Sequence, residues 1–134
     1  MRIKIFVDTL FIVALINKRD QYHQIALSLA KQYENSPLIT TDAIFLESGN
    51  KLSTNYRNEA VELIERFLAS DDVDVICLTP ELFDESLLLY KQYQDKSWGL
   101  VDCFSFVVMK QNKVDQALTF DQHFTQAGFQ ALMR

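Results

Sequence analysis

Short runs of β-favouring residues alternate along this chain with longer segments whose apolar residues have helical spacing. The strand-like runs are IKIFVD, LITT, VDVICLT and QALTF, at residues 3–8, 38–41, 73–79 and 116–120. A short terminal element is expected to end at Met133. Such alternation is typical of βα units, in which helices cover both faces of a sheet. We therefore predict a three-layer α/β/α sandwich around a mostly parallel central sheet.

Capping residues predict where several of the helices begin. Thr79 stands before Pro80, a pair typical of an N-cap and the first helical position. Thr41 or Asp42 is expected to begin the helix after LITT. Asp20 is expected to cap a helix whose apolar face carries Tyr22, Ile25, Ala26, Leu29, Ala30 and Tyr33.

The size and composition of the chain are those of one globular domain, which we expect to cover residues 1–134. Asp8 interrupts the apolar opening segment, so this segment is expected to be a strand and a helix rather than a signal peptide. No apolar run reaches the roughly 18 residues of a membrane helix. Cys77 and Cys103 lie in apolar segments without metal-type spacing, which predicts buried thiols in a reducing cytosol.

Four acidic residues lie where strands are predicted to end or helices to begin. Asp8 and Asp121 follow the first and the last predicted strand, and Glu47 lies on the helix after LITT. Asp102 interrupts the apolar run SWGLVDCFSF at residues 97–106, where an unpaired buried carboxylate costs several kcal/mol. Because sites in open parallel sheets form outside the carboxyl ends of strands, we expect these four side chains to converge.

Each acid taken singly also has a structural explanation. Asp8 and Asp102 can be helix caps, Glu47 can be a solvated helix residue, and Asp121 can be a turn residue. Asp42 is interpreted only as a first-turn acid favoured by the helix dipole. The functional interpretation therefore depends on convergence of the set and not on any one member.

Convergence of four carboxylates would require a cation or protonation. Two carboxylates about 5 Å apart repel by roughly 3 kcal/mol at an effective dielectric constant of 20. Hard oxygen ligands favour Mg²⁺ or Mn²⁺ over zinc, and such sites suit metal-assisted hydrolysis of phosphodiesters. The net charge of −5 argues against a broad basic surface for nucleic acid, but bound divalent ions would offset part of it.

Four blocks of the sequence resemble the signature motifs of the PIN-domain family, in particular VapC-type toxin ribonucleases. They are FVDT, TTDAIFLESGN, DKSWGLVDCFSF and LTFDQHFTQAGF, at residues 6–9, 40–50, 95–106 and 118–129. The resemblance implies that the metal-binding and catalytic quartet consists of Asp8, Glu47, Asp102 and Asp121, with Thr9 and Ser105 as auxiliary polar residues. For His123 we favour a packing or capping role. Trp98 and Gly99 depart from the family pattern.

The activity implied by the resemblance is that of a cytoplasmic, Mg²⁺- or Mn²⁺-dependent endoribonuclease, the toxin of a type II toxin–antitoxin pair. The implied partners are an RNA substrate, a cognate antitoxin protein and a second copy of the chain in a homodimer, with no membrane. The alternative is a PIN-like module that binds RNA or protein without cutting. The positive residues form no basic stripe in the sequence, which lowers the expected RNA affinity. The scattered ones considered for contact with a phosphate backbone are Lys18, Arg19, Lys51, Arg57 and Lys96.

Overall fold

The computed structural model describes residues 3–134, so Met1 and Arg2 of the predicted domain lie outside the described part. Within it the strands are β1 (Ile5–Val7), β2 (Leu38–Thr41), β3 (Val73–Ile76), β4 (Gln116–Leu118) and β5 (Gln130–Ala131). The helices are α1 (Thr9–Ile16), α2 (His23–Gln32), α3 (Asp42–Lys51), α4 (Arg57–Ala69), α5 (Pro80–Gln92), α6 (Leu100–Gln111) and α7 (Gln122–Gln126). The predicted α/β class is confirmed.

All five described strands pair in parallel, in the order β3-β2-β1-β4-β5. The chain first builds the sheet outward from β1 to β2 and β3, and then returns to place β4 on the other side of β1. The direction of winding therefore reverses between β1 and β4. In parallel α/β sheets the crevice at such a reversal, outside the carboxyl ends of the strands, is where ligands bind.

A cluster of aromatic rings ties α6 to α7 and to the end of the chain. The ring centroid of Phe106 lies 5.1 Å from that of Trp98, 5.0 Å from that of Phe124 and 5.7 Å from that of Phe129. The indole Nε1 of Trp98 donates a 3.0 Å hydrogen bond to the side chain of Gln126. Trp98, which departs from the family pattern, is therefore a buried anchor between two segments that carry predicted site residues.

The strand predicted over residues 73–79 is correct at its start and wrong at its end. β3 stops at Ile76, because the backbone N–H of Leu78 donates to the carboxylate of Asp42 at 3.1 and 3.2 Å instead of joining the sheet. Asp42 is therefore not only a first-turn acid.

The last predicted strand, QALTF, also ends earlier than predicted, at Leu118. The single short element expected at the C-terminus consists of α7 and β5, the latter a fifth parallel strand beside β4.

Two predicted helix starts are confirmed and one is wrong. Thr79 and Thr41 are N-caps, and their hydroxyls accept the backbone N–H groups of Leu82 at 3.1 Å and Ile44 at 3.2 Å. Asp20 does not cap α2, which begins at His23. Its carboxylate accepts the N–H of Tyr22 at 2.8 Å, in a turn before the helix.

The two cysteines lie in different environments. Cys103 is buried as predicted, and this burial together with the charge of Asp102 raises the pKa of its thiol to about 11. Cys77 is exposed, and the prediction of a buried thiol is wrong there because β3 ends one residue earlier. None of the helices within residues 3–134 has the length and apolar character required to cross a membrane.

Candidate active site

Asp8 directly follows β1 and is buried, with 5% of its surface exposed. It stands at the N-cap position of α1, but its side chain makes no capping hydrogen bond; the hydroxyl of Thr119 donates to its Oδ2 at 2.8 Å. Burial raises the pKa of Asp8 from 3.8 to about 7; the charges of Asp102 and Glu47 add to this, and hydrogen bonds from Thr119 and the Thr9 backbone oppose it. Full ionisation of the Asp8 carboxyl group at neutral pH therefore requires a nearby positive charge.

Glu47 lies on α3 and faces the start of α1. The hydroxyl of Thr9, a buried residue, donates a 2.5 Å hydrogen bond to Oε1 of Glu47. Glu47 is therefore held against the residue that follows Asp8, and it is not simply a solvated helix residue. The auxiliary role proposed for Thr9 has a concrete basis in this contact.

Asp102 and Asp121 both lie close to the same ring nitrogen of His123. Nδ1 of His123 lies 3.0 Å from Oδ2 of Asp102 and 3.5 Å from Oδ1 of Asp121. Asp102 is not the N-cap of α6, which is Gly99; from the third helical position its carboxylate accepts the backbone N–H of Gly99 at 3.1 Å. Asp121 is the N-cap of α7 and accepts the backbone N–H of His123 at 2.9 Å. These capping bonds fix the carboxylates in place and are compatible with a second role.

Asp102 connects the two halves of the site. Its charge raises the pKa of Asp8, and its carboxylate contacts the imidazole that also contacts Asp121. Within residues 3–134, however, the residues found to offer potential ligand atoms within 4.8 Å of one another are Asp102, Asp121 and His123. The role of Asp8, Glu47, Asp102 and Asp121 as one ligand set stays a prediction.

The residues at this site fit a hard divalent cation. Ser105, one turn after Asp102 on α6, is fully buried, and within residues 3–134 its hydroxyl has no hydrogen-bond partner; its auxiliary role near a metal stays a prediction. Several carboxylates converge, and one of them, Asp8, has a pKa of about 7. Oxygen-rich donor sets of this kind suit Mg²⁺ or Mn²⁺.

Two residues were missed or undervalued by the sequence analysis. Thr119 was not singled out, although its hydroxyl bonds Asp8; its only signal is its position at the end of a predicted strand, in the block LTFD. For His123 a packing or capping role was favoured over a catalytic one. Its backbone N–H does take part in the cap of α7, and its imidazole also contacts Asp102 and Asp121.

Two depressions on the surface differ in their relation to the acids. One, of about 610 Å³, lies beside Asp121 and is also lined by Tyr22, Phe120 and Arg134; the two rings stack with centroids 3.8 Å apart. The other, of about 780 Å³, is lined by residues at the amino ends of β2 and β3 and by Lys18. Lys18 therefore lies near the amino ends of the strands, whereas the acids lie near their carboxyl ends.

Fold and site together define a parallel α/β domain with an acid-rich centre at its topological reversal. A family model described as "PIN domain" matches residues 5–130, and the chain belongs to this family. Over 127 residues it is 28% identical to the "23S rRNA-specific endonuclease VapC20" of Mycobacterium tuberculosis, strains CDC 1551 and H37Rv. The match covers 93% of this chain and 95% of each relative.

A solved structure gives the same result in three dimensions. The crystal structure of M. tuberculosis VapC20, described as a Sarcin-Ricin loop cleaving toxin, superposes with a TM-score of 0.83 at 28% identity. The match covers 93% of this chain and 95% of that one. The family resemblance predicted from the four sequence blocks is confirmed.

Proposed function

We propose that this protein is a Mg²⁺- or Mn²⁺-dependent endoribonuclease, in which residues 1–134 act as one nuclease domain. The observation that carries the proposal is the burial of Asp8 beside Asp102 and Glu47, which raises its pKa to about 7. A fold has no structural need for such a charge cluster, and a divalent cation would stabilise it. The similarity to a 23S rRNA-specific endonuclease supports RNA as the substrate.

Four carboxylates are proposed to hold the metal ion, and hydroxyl groups orient two of them. When bound, the ion supplies Lewis acidity, which activates a water for in-line attack and stabilises charge on the leaving oxygen. Asp8, Glu47, Asp102 and Asp121 hold it. Hydroxyl groups orient the first two carboxylates through the 2.8 Å bond to Asp8 and the 2.5 Å bond to Glu47.

RNA reaches the acids across the depression beside Asp121. Tyr22 and Phe120 offer a stacked aromatic pair there, and Arg134 offers a positive charge for a phosphate. Stacking of a base on such a ring contributes about 1–3 kcal/mol. The sarcin–ricin loop of 23S rRNA, the target of the structural relative, is the first substrate to test.

We further propose that the chain is the toxin of a type II toxin–antitoxin pair, acts in the cytoplasm, is neutralised by a cognate antitoxin protein and forms a homodimer. The similarity to VapC20, described as a toxin, supports the pairing. The homodimer is supported by large apolar side chains that are exposed along one face of α5, at Phe83, Leu87 and Tyr90. Apolar stripes of this kind commonly mark protein interfaces.

The alternative, a PIN-like module that binds without cutting, is disfavoured by the same acids. A module without a metal ion gains nothing from burying Asp8 near Asp102 and Glu47, since their mutual repulsion lowers its stability.

RNA cleavage in the presence of Mg²⁺ or of EDTA tests the proposal. Wild type is compared with Asp102→Asn and with Asp84→Asn, a change of equal charge at an exposed position of α5. We expect metal-dependent cleavage of sarcin–ricin loop RNA or total RNA by wild type and Asp84→Asn, and a rate lower by about 100-fold or more for Asp102→Asn. Equal cleavage by all three proteins would remove Asp102 from the mechanism. Binding of Mg²⁺ and RNA without any cleavage would favour the silent module.

A further inference from the structure

His123 has two separate polar groups, and they do different things. Its backbone N–H donates to Oδ1 of Asp121 at 2.9 Å, which completes the cap of α7. The imidazole is not needed for that bond. Its Nδ1 is nevertheless placed 3.0 Å from Asp102 and 3.5 Å from Asp121, with the side chain 21% exposed. Capping therefore does not explain why position 123 carries an imidazole.

The spacing of these atoms matches that of ligands around one ion. An ion with bonds of about 2.1 Å holds neighbouring ligand atoms of an octahedron about 3.0 Å apart. The 3.0 Å hydrogen-bond distance between Nδ1 and Asp102 and the 3.5 Å distance between Nδ1 and Asp121 are close to this value. All three potential ligand atoms lie within 4.8 Å of one another.

We propose that Nδ1 of His123 is a direct ligand of the divalent ion, together with Asp102 and Asp121. The inference rests on the metal site of the proposed function and adds a nitrogen ligand to a site predicted to be all oxygen. Imidazole nitrogen is a favourable ligand for transition metals, whereas Mg²⁺ prefers oxygen ligands. The site therefore binds Mn²⁺ in preference to Mg²⁺, and His123 is the residue that determines this preference.

Pulsed electron paramagnetic resonance of the Mn²⁺-loaded protein tests the ligand directly, because a coordinated imidazole gives a characteristic ¹⁴N coupling. The chain has two histidines. His23 lies on α2, where its Nδ1 is 2.7 Å from the carbonyl oxygen of Ala14, and His23→Gln is the matched control. We expect ¹⁴N coupling in wild type and in His23→Gln, and its loss in His123→Gln.

Metal affinities separate ligation from simple positioning of Asp102. The concentration of free Mn²⁺ is measured from its electron paramagnetic resonance signal in solution. The affinity for Mg²⁺ is measured from its competition with Mn²⁺ for the protein. We expect His123→Gln to raise the Mn²⁺ dissociation constant about 10-fold or more, and the Mg²⁺ constant clearly less. If His123 only positioned Asp102, both constants would rise alike and the ¹⁴N coupling would be absent in wild type.

Two further outcomes of the Mn²⁺ experiments would overturn the proposed ligand role of His123. Bound Mn²⁺ without ¹⁴N coupling in wild type overturns the ligand role of His123 but leaves a carboxylate metal site in place. Failure of wild type to bind Mn²⁺ overturns both this inference and the proposed function.

Discussion

The hydroxyl of Thr119 donates a 2.8 Å hydrogen bond to Oδ2 of Asp8, across 111 positions of the sequence. The same hydroxyl accepts the backbone N–H of Asp121 at 3.1 Å. One buried side chain thus connects the acids that follow β1 and β4, the two strands on either side of the reversal in winding. The relative position of Asp8 and Asp121 is therefore fixed by a direct link and not only by the packing of the strands.

The pKa of Asp8 predicts how the stability of the metal-free protein depends on pH. Because this pKa is about 7 in the fold and 3.8 in the reference state, the native protein binds more protons than the unfolded chain between these values. The free energy of unfolding falls as pH rises through this window, by as much as roughly 4 kcal/mol, and levels off above it. Urea unfolding in EDTA at pH 5 to 8 measures the slope.

Asp8→Asn is the matching variant, since an amide keeps an acceptor for Thr119 without the charge. We expect it to be more stable than wild type at pH 8 and to lose most of the slope. A variant with the wild-type slope would show that other groups cause the pH dependence.

Mg²⁺ is expected to stabilise the fold. Binding to the native state alone raises the free energy of unfolding by about 2.7 kcal/mol when the ion is at 100 times its dissociation constant. Thermal melting with Mg²⁺, against sodium chloride of the same ionic strength, measures this effect. Asp102→Asn should lose the stabilisation and Asp84→Asn should keep it; an equal gain in both variants would indicate a non-specific salt effect.

Thr119→Val is expected to weaken metal binding by about 10-fold to 100-fold, because it removes the donor that orients Asp8. The loss of a buried hydrogen bond also destabilises the fold by about 1–3 kcal/mol. Thr54→Val, at an exposed loop position, is the control. Calorimetric titration with Mn²⁺ gives the affinities, and unchanged binding in Thr119→Val would show that Asp8 does not need this hydroxyl.

Leu87→Glu is expected to convert the proposed homodimer to a monomer, because it puts a charge into the apolar face of α5. Leu68→Glu, at a leucine that is exposed on α4, is the control for a charge placed elsewhere. Sedimentation velocity measures the mass, and circular dichroism checks that both variants fold. A monomeric wild type, or a Leu87→Glu protein that remains dimeric, would exclude this face as the interface.

The architecture could be predicted because it depends on local patterns. Runs such as LITT have the β-branched composition of a buried strand, and Thr79-Pro80 determines a helix start through the chemistry of the first turn. The strand ends were less predictable. β3 ends at Ile76 because Asp42, distant in sequence, accepts the N–H of Leu78.

By itself, the sequence determined which acids follow strands or begin helices, since hydrophobic periodicity and capping are read over a few neighbouring residues. Tertiary structure alone decided which polar side chains accompany them. The bond between Thr119 and Asp8 and the contact of His123 with Asp102 depend on the parallel pairing of β1 with β4 and on the packing of α6 against α7. These contacts join residues far apart in the chain, and no local pattern encodes their distances.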